Sequence, residues 1–268
     1  MKKVDVFGAD GKKAGTIDLP EQFSEGLRTD VIRRAVLAIA SHNRQPYGTD
    51  PWAGTRTSAS FRGERGVYGS WANRGMHRTS RIRIGTGYQT GTARMVPGAV
   101  KGRRAHPPKA EKIWDQKINA KERKLAIRSG IAATSDSGKI AARGHKAKGL
   151  QFPIVADDKI AAFRKTKDAV EFMLKIGLAE ELHRIKEKRV RAGKGKTRGR
   201  KYRTKKGPLV VVAGSKNMAH AFSGISGVDV VAVKNLNADV LAPGAAPGRL
   251  TIWTKGAVEA LAKEKLFM

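Results

Sequence analysis

PLVVVAG, residues 208–214, is a short apolar run closed by Pro208 and Gly214. Valine at 210, 211 and 212 puts apolar side chains on both faces of an extended chain, the mark of a strand covered on both sides. Two further runs follow it: GVDVVAVKNL (227–236) and RLTIWT (249–254). Helical patterns separate them. Ser215 caps a short helix through Phe222, and NADVLAPG (237–244) is a helical turn ended by Pro243. GAVEALAKEKL closes the chain as a helix. Strands that alternate with helices imply right-handed βαβ units, hence a parallel sheet with helices on both sides.

The same grammar extends towards the N-terminus. QFPIVADD (151–158) reads as another strand, and Val4 and Val6 alternate in MKKVDVFGAD as a strand does. Thr29 or Asp30 caps a helix through about Ser41, with Val31, Ile32, Ala35, Val36 and Ile39 on one face. Asn119 with Glu122 resembles a capping box ahead of KLAIRSGIAA. Thr166 is placed to cap DAVEFMLKI, with Gly177 as its stop. The fold class is therefore α/β, built on a mostly parallel sheet.

Charge is distributed unevenly. The 268 residues carry a net +31, which demands a polyanionic partner. Residues 44–108 hold twelve Lys and Arg against two acids, and residues 183–206 hold thirteen against one. These two segments supply 22 of the 31 net charges, so the remainder is patterned as an ordinary globular body. The organisation expected is a discontinuous body, 1–43 with 109–268, interrupted by a basic insert at 44–108. A basic band at 183–206 lies within the body.

The insert uses arginine eleven times and lysine once, a choice that favours the planar fork able to grip phosphates and stack on bases. Its eleven glycines and eight residues of Ile, Val, Phe and Met cannot bury enough apolar surface to offset ordering entropy. Free in solution it is expected to be largely disordered. Tyr47, Trp52, Phe61, Tyr68, Trp71 and Tyr88 are interleaved with the arginines, a mixture suited to RNA: cations for phosphates, rings for unpaired bases. Arg81-Ile82-Arg83-Ile84 alternates like an exposed strand that pairs near Thr92–Val96.

Other classes fall away. With no cysteine there is no disulfide and no thiolate metal site. The six histidines form no H-x-x-x-H pair, so no metal or cofactor is expected. No apolar run reaches the roughly 18 residues of a membrane span, and glycines break any amphipathic face in the insert, so no membrane partner is expected. The N-terminus reads as a strand rather than a secretion signal, which points to the cytoplasm. Gly85-Thr86-Gly87 meets Thr90 where a dinucleotide loop needs glycine, and Gly195-Lys196-Thr197 meets Val190 where a phosphate loop needs one. Asp157 with Asp158, and Asp136 between two serines, read as caps or turns. No catalytic residue is assigned.

One resemblance spans the chain. Val31-Ile32-Arg33-Arg34-Ala35-Val36-Leu37-Ala38, then Asn43-Arg44-Gln45-Pro46-Tyr47-Gly48-Thr49-Asp50-Pro51 and Ala53-Gly54-Thr55-Arg56-Thr57, resemble the universal large-subunit ribosomal protein four family, archaeal and eukaryotic type. The likeness continues at VPGAVKGRRAHPPK (96–109) and RAGKGKTRGR (191–200). It implies a three-layer α/β/α body and an extended arm through large-subunit ribosomal RNA. The arm's tip would line the narrow part of the peptide exit tunnel, near another ribosomal protein's arm and the nascent peptide. Ser60-Phe61-Arg62-Gly63-Glu64-Arg65-Gly66 occupies the tip's place, and departs from the family by Arg62 and Glu64 where small residues are usual.

On this reading the RNA contacts in the arm are Arg44, Arg56, Arg62, Arg65, Arg74, Arg78, Arg81, Arg83, Arg94, Lys101, Arg103, Arg104, His106 and Lys109. In the band they are Arg189, Arg191, Lys194, Lys196, Arg198, Arg200, Lys201 and Arg203. Phe61, Tyr68, Trp71, Asn73, Met76 and His77 are the stacking or tip residues. An RNA-modifying enzyme and a messenger-RNA regulator are the competing classes. The first lacks a recognisable site, and nothing in the sequence speaks for the second.

Overall fold

A computed structural model describes residues 3–76, 78–83, 90–147, 149–214 and 221–268. Two compact units divide it: Met1–His42 with Asp115–Met268, and Asn43–Trp114.

The chain begins with a hairpin, β1 (Lys3–Phe7) and β2 (Lys13–Asp18), followed by α1 (Thr29–His42). Two short strands, β3 (Ala59–Ser60) and β4 (Arg81–Ile82), belong to the second unit. The first unit resumes with α2 (Ala120–Ala133), α3 (Ser137–Ala142), β5 (Ile154–Ala156), α4 (Thr166–Lys175) and α5 (Ala179–Lys186). Next come β6 (Lys188–Val190), β7 (Tyr202–Thr204), β8 (Leu209–Val212) and β9 (Asp229–Ala232). The last elements are α6 (Ala238–Leu241), β10 (Thr251–Thr254) and α7 (Lys255–Lys263).

Six strands form one sheet in the order β2-β1-β5-β10-β8-β9. Only β2 is antiparallel to its neighbour; every other pairing is parallel. Burial follows position. The central strands β5, β10 and β8 are buried at every residue, the terminal strand β9 is half-buried throughout, and β1 alternates. Near-continuous apolar runs thus mark the central strands, and alternation marks β1.

Successive residues of one strand enter different cores. Ile154, Ala156, Val210, Val212 and Ile252 pack with Phe172 and Met173 of α4. Val155, Leu209, Val211 and Trp253 pack with Ile127 and Ile131 of α2 and Val258 and Leu261 of α7. Each fully buried side chain of this size stabilises by about 1.5–3 kcal/mol relative to exposure. A third cluster joins α1 to α2 and α6 through Ile32, Ala35, Val36, Ala126, Ala238 and Ala242. At this contact a Cβ on Gly130 would lie 3.2 Å from the Leu241 side chain, so the small residue sets the helix approach.

The caps differ in detail from the sequence reading. Asn119 precedes α2 but its side chain caps nothing, and Glu122 reaches across to Arg34 of α1 at 3.0 Å instead of back to Asn119. Thr166 is the first residue of α4, after Lys165, and makes no side-chain cap. Gly177 does end α4, at φ +96°. Asp136 accepts from the Gly138 and Lys139 N–H groups. Asp158 accepts from the Gly256 N–H at 2.9 Å, and so anchors the start of α7 from the end of β5. The 227–236 run is strand only over Asp229–Ala232 and then turns at Val233–Asn235. The expected cap at Ser215 lies outside the described residues.

One arginine locks the sheet's far end. Arg249 is fully buried and its guanidinium donates to Gly207 O (2.9 Å), Val240 O (3.0 Å) and the Asp229 carboxylate (2.6 Å). Burial pushes the Arg249 guanidinium below its usual value, and Asp229 opposes that shift.

Candidate nucleic-acid interface

The basic segment is assembled from close backbone approaches instead of an apolar core. Its described residues contain a single buried hydrophobic side chain, Ile82. At the stem the outgoing and returning chains touch: Thr49 N–H donates to Pro108 O at 3.1 Å. A Cβ on Gly54, at φ +81°, would sit 2.5 Å from the Arg103 backbone nitrogen, so only glycine permits this crossing.

Tyr47 and Trp114 stack there, with ring centres 5.6 Å apart. The Arg44 guanidinium lies 3.8 Å from the Trp114 ring centre and the Lys112 ammonium 4.4 Å. Each such contact contributes about 0.5–1 kcal/mol at an exposed site. A cavity of about 630 Å³ opens beside the stack, lined in part by Tyr47, Trp114, Arg104, His106 and Lys109. Trp114 and Lys112 were not among the residues singled out from the sequence; an isolated tryptophan in the charged run EKIWDQK was their signal.

Beyond the stem, β4 pairs with β3 and also bridges to Ala93 through Arg81. Ile82 N–H donates to Thr92 O (3.1 Å) and Arg94 N–H to Ser80 O (2.9 Å). The expected ribbon thus forms over Arg81–Ile82, with β3 as an added partner. Ile82 is buried, so this strand is not exposed as its alternation suggested. Ile84 lies outside the described residues.

Residues 61–76 form a series of turns. Trp71 N–H and Ser70 Oγ–H both donate to Arg62 O, at 2.8 and 3.1 Å, and the Arg62 guanidinium lies over the Trp71 ring at 5.5 Å. Phe61 and Val67 are exposed, and Tyr68 is fully so, with relative accessibility 104%. Asn73 adopts φ +64°, a conformation that asparagine tolerates better than most residues. Glu64 is exposed and makes no ion pair with Arg62 or Arg65.

The segment's cations have two kinds of surroundings. Arg65, Arg74, Arg78, Arg83, Lys101, Arg103, Arg104, His106 and Lys109 are exposed. Arg81 is instead half-buried, donating from Nε to Met76 O (2.9 Å) and from Nη1 to Gly91 O (2.8 Å). Arg94 donates to Val100 O at 2.7 Å, and Arg56 is paired with Asp50. These three hold turns closed, a role that charge counting does not distinguish from phosphate contact. His77 and Tyr88 lie outside the described residues.

In the first unit the basic band forms a hairpin. β6 and β7 pair antiparallel, and the turn between them passes Gly199 at φ +78°. Arg189, Arg191, Lys194, Lys196, Arg198, Arg200, Lys201 and Arg203 are all exposed. Behind the hairpin lies a buried network the sequence did not reveal. His145 Nδ1 meets Glu181 Oε1 at 2.7 Å, and Arg184 donates to both Glu181 oxygens at 2.8 and 2.7 Å. Burial alone would raise the Glu181 carboxyl; hydrogen bonds from Arg184, His145 and the Lys146 N–H outweigh it and hold it at about 2. Burial lowers His145, and since a carboxylate only accepts, the proton of the His145–Glu181 bond sits on Nδ1.

Among the described residues there is no group of His, Asp and Glu able to hold a metal. No described helix is long and apolar enough to cross a membrane.

The model of the ribosomal protein L4/L1 family matches residues 17–264. The chain is 47% identical over 268 residues to a protein of Nanoarchaeum equitans, covering 99% of each chain. It is 44% identical to a protein of Methanosphaera stadtmanae, over 97% of this chain and 96% of that one. A relative in Archaeoglobus fulgidus is also 44% identical, over 97% of this chain and 98% of its own. All three bear the name large ribosomal subunit protein uL4.

Proposed function

The chain belongs to the ribosomal protein L4/L1 family, and from that premise we propose that it is a structural protein of the large ribosomal subunit that binds large-subunit ribosomal RNA. Its setting is the cytoplasmic ribosome, beside neighbouring large-subunit proteins. The body is a three-layer α/β/α unit that docks through the 183–206 band. Residues 44–108 are an arm threaded into RNA, whose tip around Ser60–Gly66 helps line the narrow part of the exit tunnel passed by the nascent peptide. The family is one of ribosomal proteins, not enzymes.

The observation that supports this reading best is the exposure of uncompensated arginine beside exposed rings. Arg65, Arg74, Arg78 and Arg83 are exposed, and Phe61 and Tyr68 hold their rings in solvent close by in the chain. Exposed rings are unfavourable in a free protein and favourable against unpaired bases, where each stack contributes about 1–3 kcal/mol.

Counterion release supplies the test. If about ten phosphates are neutralised, log K falls against log salt with a slope of about −7 on single strands and −9 on duplex. Affinity of the full-length protein for large-subunit RNA is measured from low to moderate salt. A steep linear fall is expected, and a flat response would overturn the proposal. Sedimentation of lysate provides the cellular counterpart: co-migration with large subunits, lost at high salt or after RNA digestion.

A further inference from the structure

We propose that the cavity behind the β6–β7 hairpin is a phosphate site for a folded RNA strand, holding consecutive backbone phosphates between the hairpin and the turn at Pro243–Ala246. This rests on the RNA-binding reading above. The cavity measures about 720 Å³ and its walls carry Arg143, Arg184, Arg189, Arg203, Lys205 and Lys206, with no acidic residue among them.

Three of these cations are already compensated. Arg184 is paired with Glu181, Lys205 with Glu187 and Lys206 with Asp229. The other three form no salt bridge among the described residues, although Arg189 lies close enough to Glu187 to lower that carboxyl. Arg189 and Arg203 stand directly opposite one another in the hairpin register. Like charges at opposed positions of an antiparallel pair are destabilising, and only Glu187, already paired with Lys205, stands near enough to answer Arg189. Arg143, half-buried, donates to Pro243 O at 2.7 Å and to Ala246 O, which fixes its guanidinium at the cavity wall. Burial lowers Arg143, and repulsion from Arg249 and Arg184 lowers it further. Here a fold has gathered arginines whose mutual repulsion its own carboxylates answer only in part.

The wall opposite the hairpin adds shape. Pro243, Gly244 and Ala246 line the cavity, and the turn they form carries positive φ at Gly244 (+71°) and at Ala245 (+65°). An alanine in that conformation is strained, and it holds the carbonyls that anchor Arg143. Planar guanidinium forks on the hairpin wall, facing the held Arg143, suit tetrahedral phosphates better than carboxylates of a flexible peptide, because a fork can meet two oxygens at once. The cavity lies within one unit, so its geometry does not depend on where the basic arm runs.

The test uses the full-length protein and naked large-subunit RNA. Arginine labelling with phenylglyoxal, read by mass spectrometry, is compared between the free protein and the complex. Arg189 and Arg203 are expected to react when free and to be protected when bound. The double variant Arg189→Ala with Arg203→Ala is expected to bind about tenfold more weakly near 0.1 M salt, with a salt slope shallower by about two. Its melting temperature without RNA is expected to match or exceed the parent's, since the opposed charges are gone. If the two arginines stay reactive in the complex and the double variant keeps the parent's slope, the site is overturned while general RNA binding stands. If protection appears only in whole subunits, the cavity belongs to a protein neighbour and the proposal is likewise overturned. A flat salt response of the parent itself would instead remove the RNA-binding reading.

Discussion

Arg249 and Arg65 are the same residue in opposite circumstances. Arg249 sits fully buried in the sheet unit with its donors spent on Gly207, Val240 and Asp229. Arg65 sits exposed in a segment of turns and makes no ion pair. The comparison extends to whole regions. In the sheet unit, cations meet carbonyls and carboxylates of the protein, and apolar side chains alternate between two cores. In residues 43–114, backbone contacts at glycines do the holding, and most cations face solvent. Outside its basic band, the sheet unit answers many of its charges internally; residues 43–114, like that band, leave most of theirs for an anion that the chain does not contain.

The comparison breaks most visibly at Arg249. Replacing it with alanine leaves the Gly207 and Val240 carbonyls without their charged donor, while the part-exposed Asp229 keeps Lys206. Each lost charge-assisted bond costs about 1.5–3 kcal/mol. Urea unfolding of Arg249→Ala is expected to show that loss in midpoint, with the slope unchanged. An effect below about 1 kcal/mol would mean that the end of the sheet is not held by this residue.

Glu181 gives the next largest effect. Its carboxyl, held at about 2 against an ordinary 4.5, binds fewer protons folded than unfolded. The resulting stability is fully present above about pH 4.5 and is lost as pH falls towards 2. The loss on acidification is on the order of a few kcal/mol. His145, lowered by burial, works in the same direction below its ordinary 6.5. Denaturant unfolding from pH 7 to pH 3 should show the parent losing stability that Glu181→Gln already lacks. Parallel pH curves would contradict the assignment.

These two predictions concern residues that sequence reading did not reach, and the reason is physical. Central strands declare themselves because burial on both faces favours continuous apolar runs, as in residues 209–212. Helix ends declare themselves where a short acid accepts backbone N–H groups, as at Asp136. Partnerships between residues far apart in sequence leave no local mark. Glu181 meets His145 from 36 positions away, and Glu122 prefers Arg34, 88 positions away, to its own helix start. In the basic segment, arginine counting located the region but not the division of labour inside it. Arg81 and Arg94 tie turns to carbonyls, while Arg65 and Arg74 do not. That division depends on which carbonyls the turns leave unpaired, a property of the folded chain.

Tyr68 sharpens the comparison from the exposed side. Its ring touches little of the protein, so Tyr68→Ala should move stability by less than about 0.5 kcal/mol. If the ring stacks on a base, the same change weakens RNA binding by about 1–3 kcal/mol. Thermal melting and binding measured on one preparation separate the two. A stability loss without a binding loss would make Tyr68 part of the protein's own packing.

The smallest effect is the most diagnostic. Arg65→Ala removes one exposed cation from a turn and no internal bond. Stability should be unchanged, and affinity should fall uniformly across RNA sequences with the salt slope reduced by about one. Arg81→Ala should do the reverse. It frees Met76 O and Gly91 O, each of which loses a charge-assisted bond of about 1.5–3 kcal/mol, so turns loosen first and binding weakens only as a consequence. Protease cleavage within residues 61–80 reads that loosening directly, and it should speed up for Arg81→Ala alone. Equal protease sensitivity in both variants would erase the distinction between arginines that build the segment and arginines that face its partner.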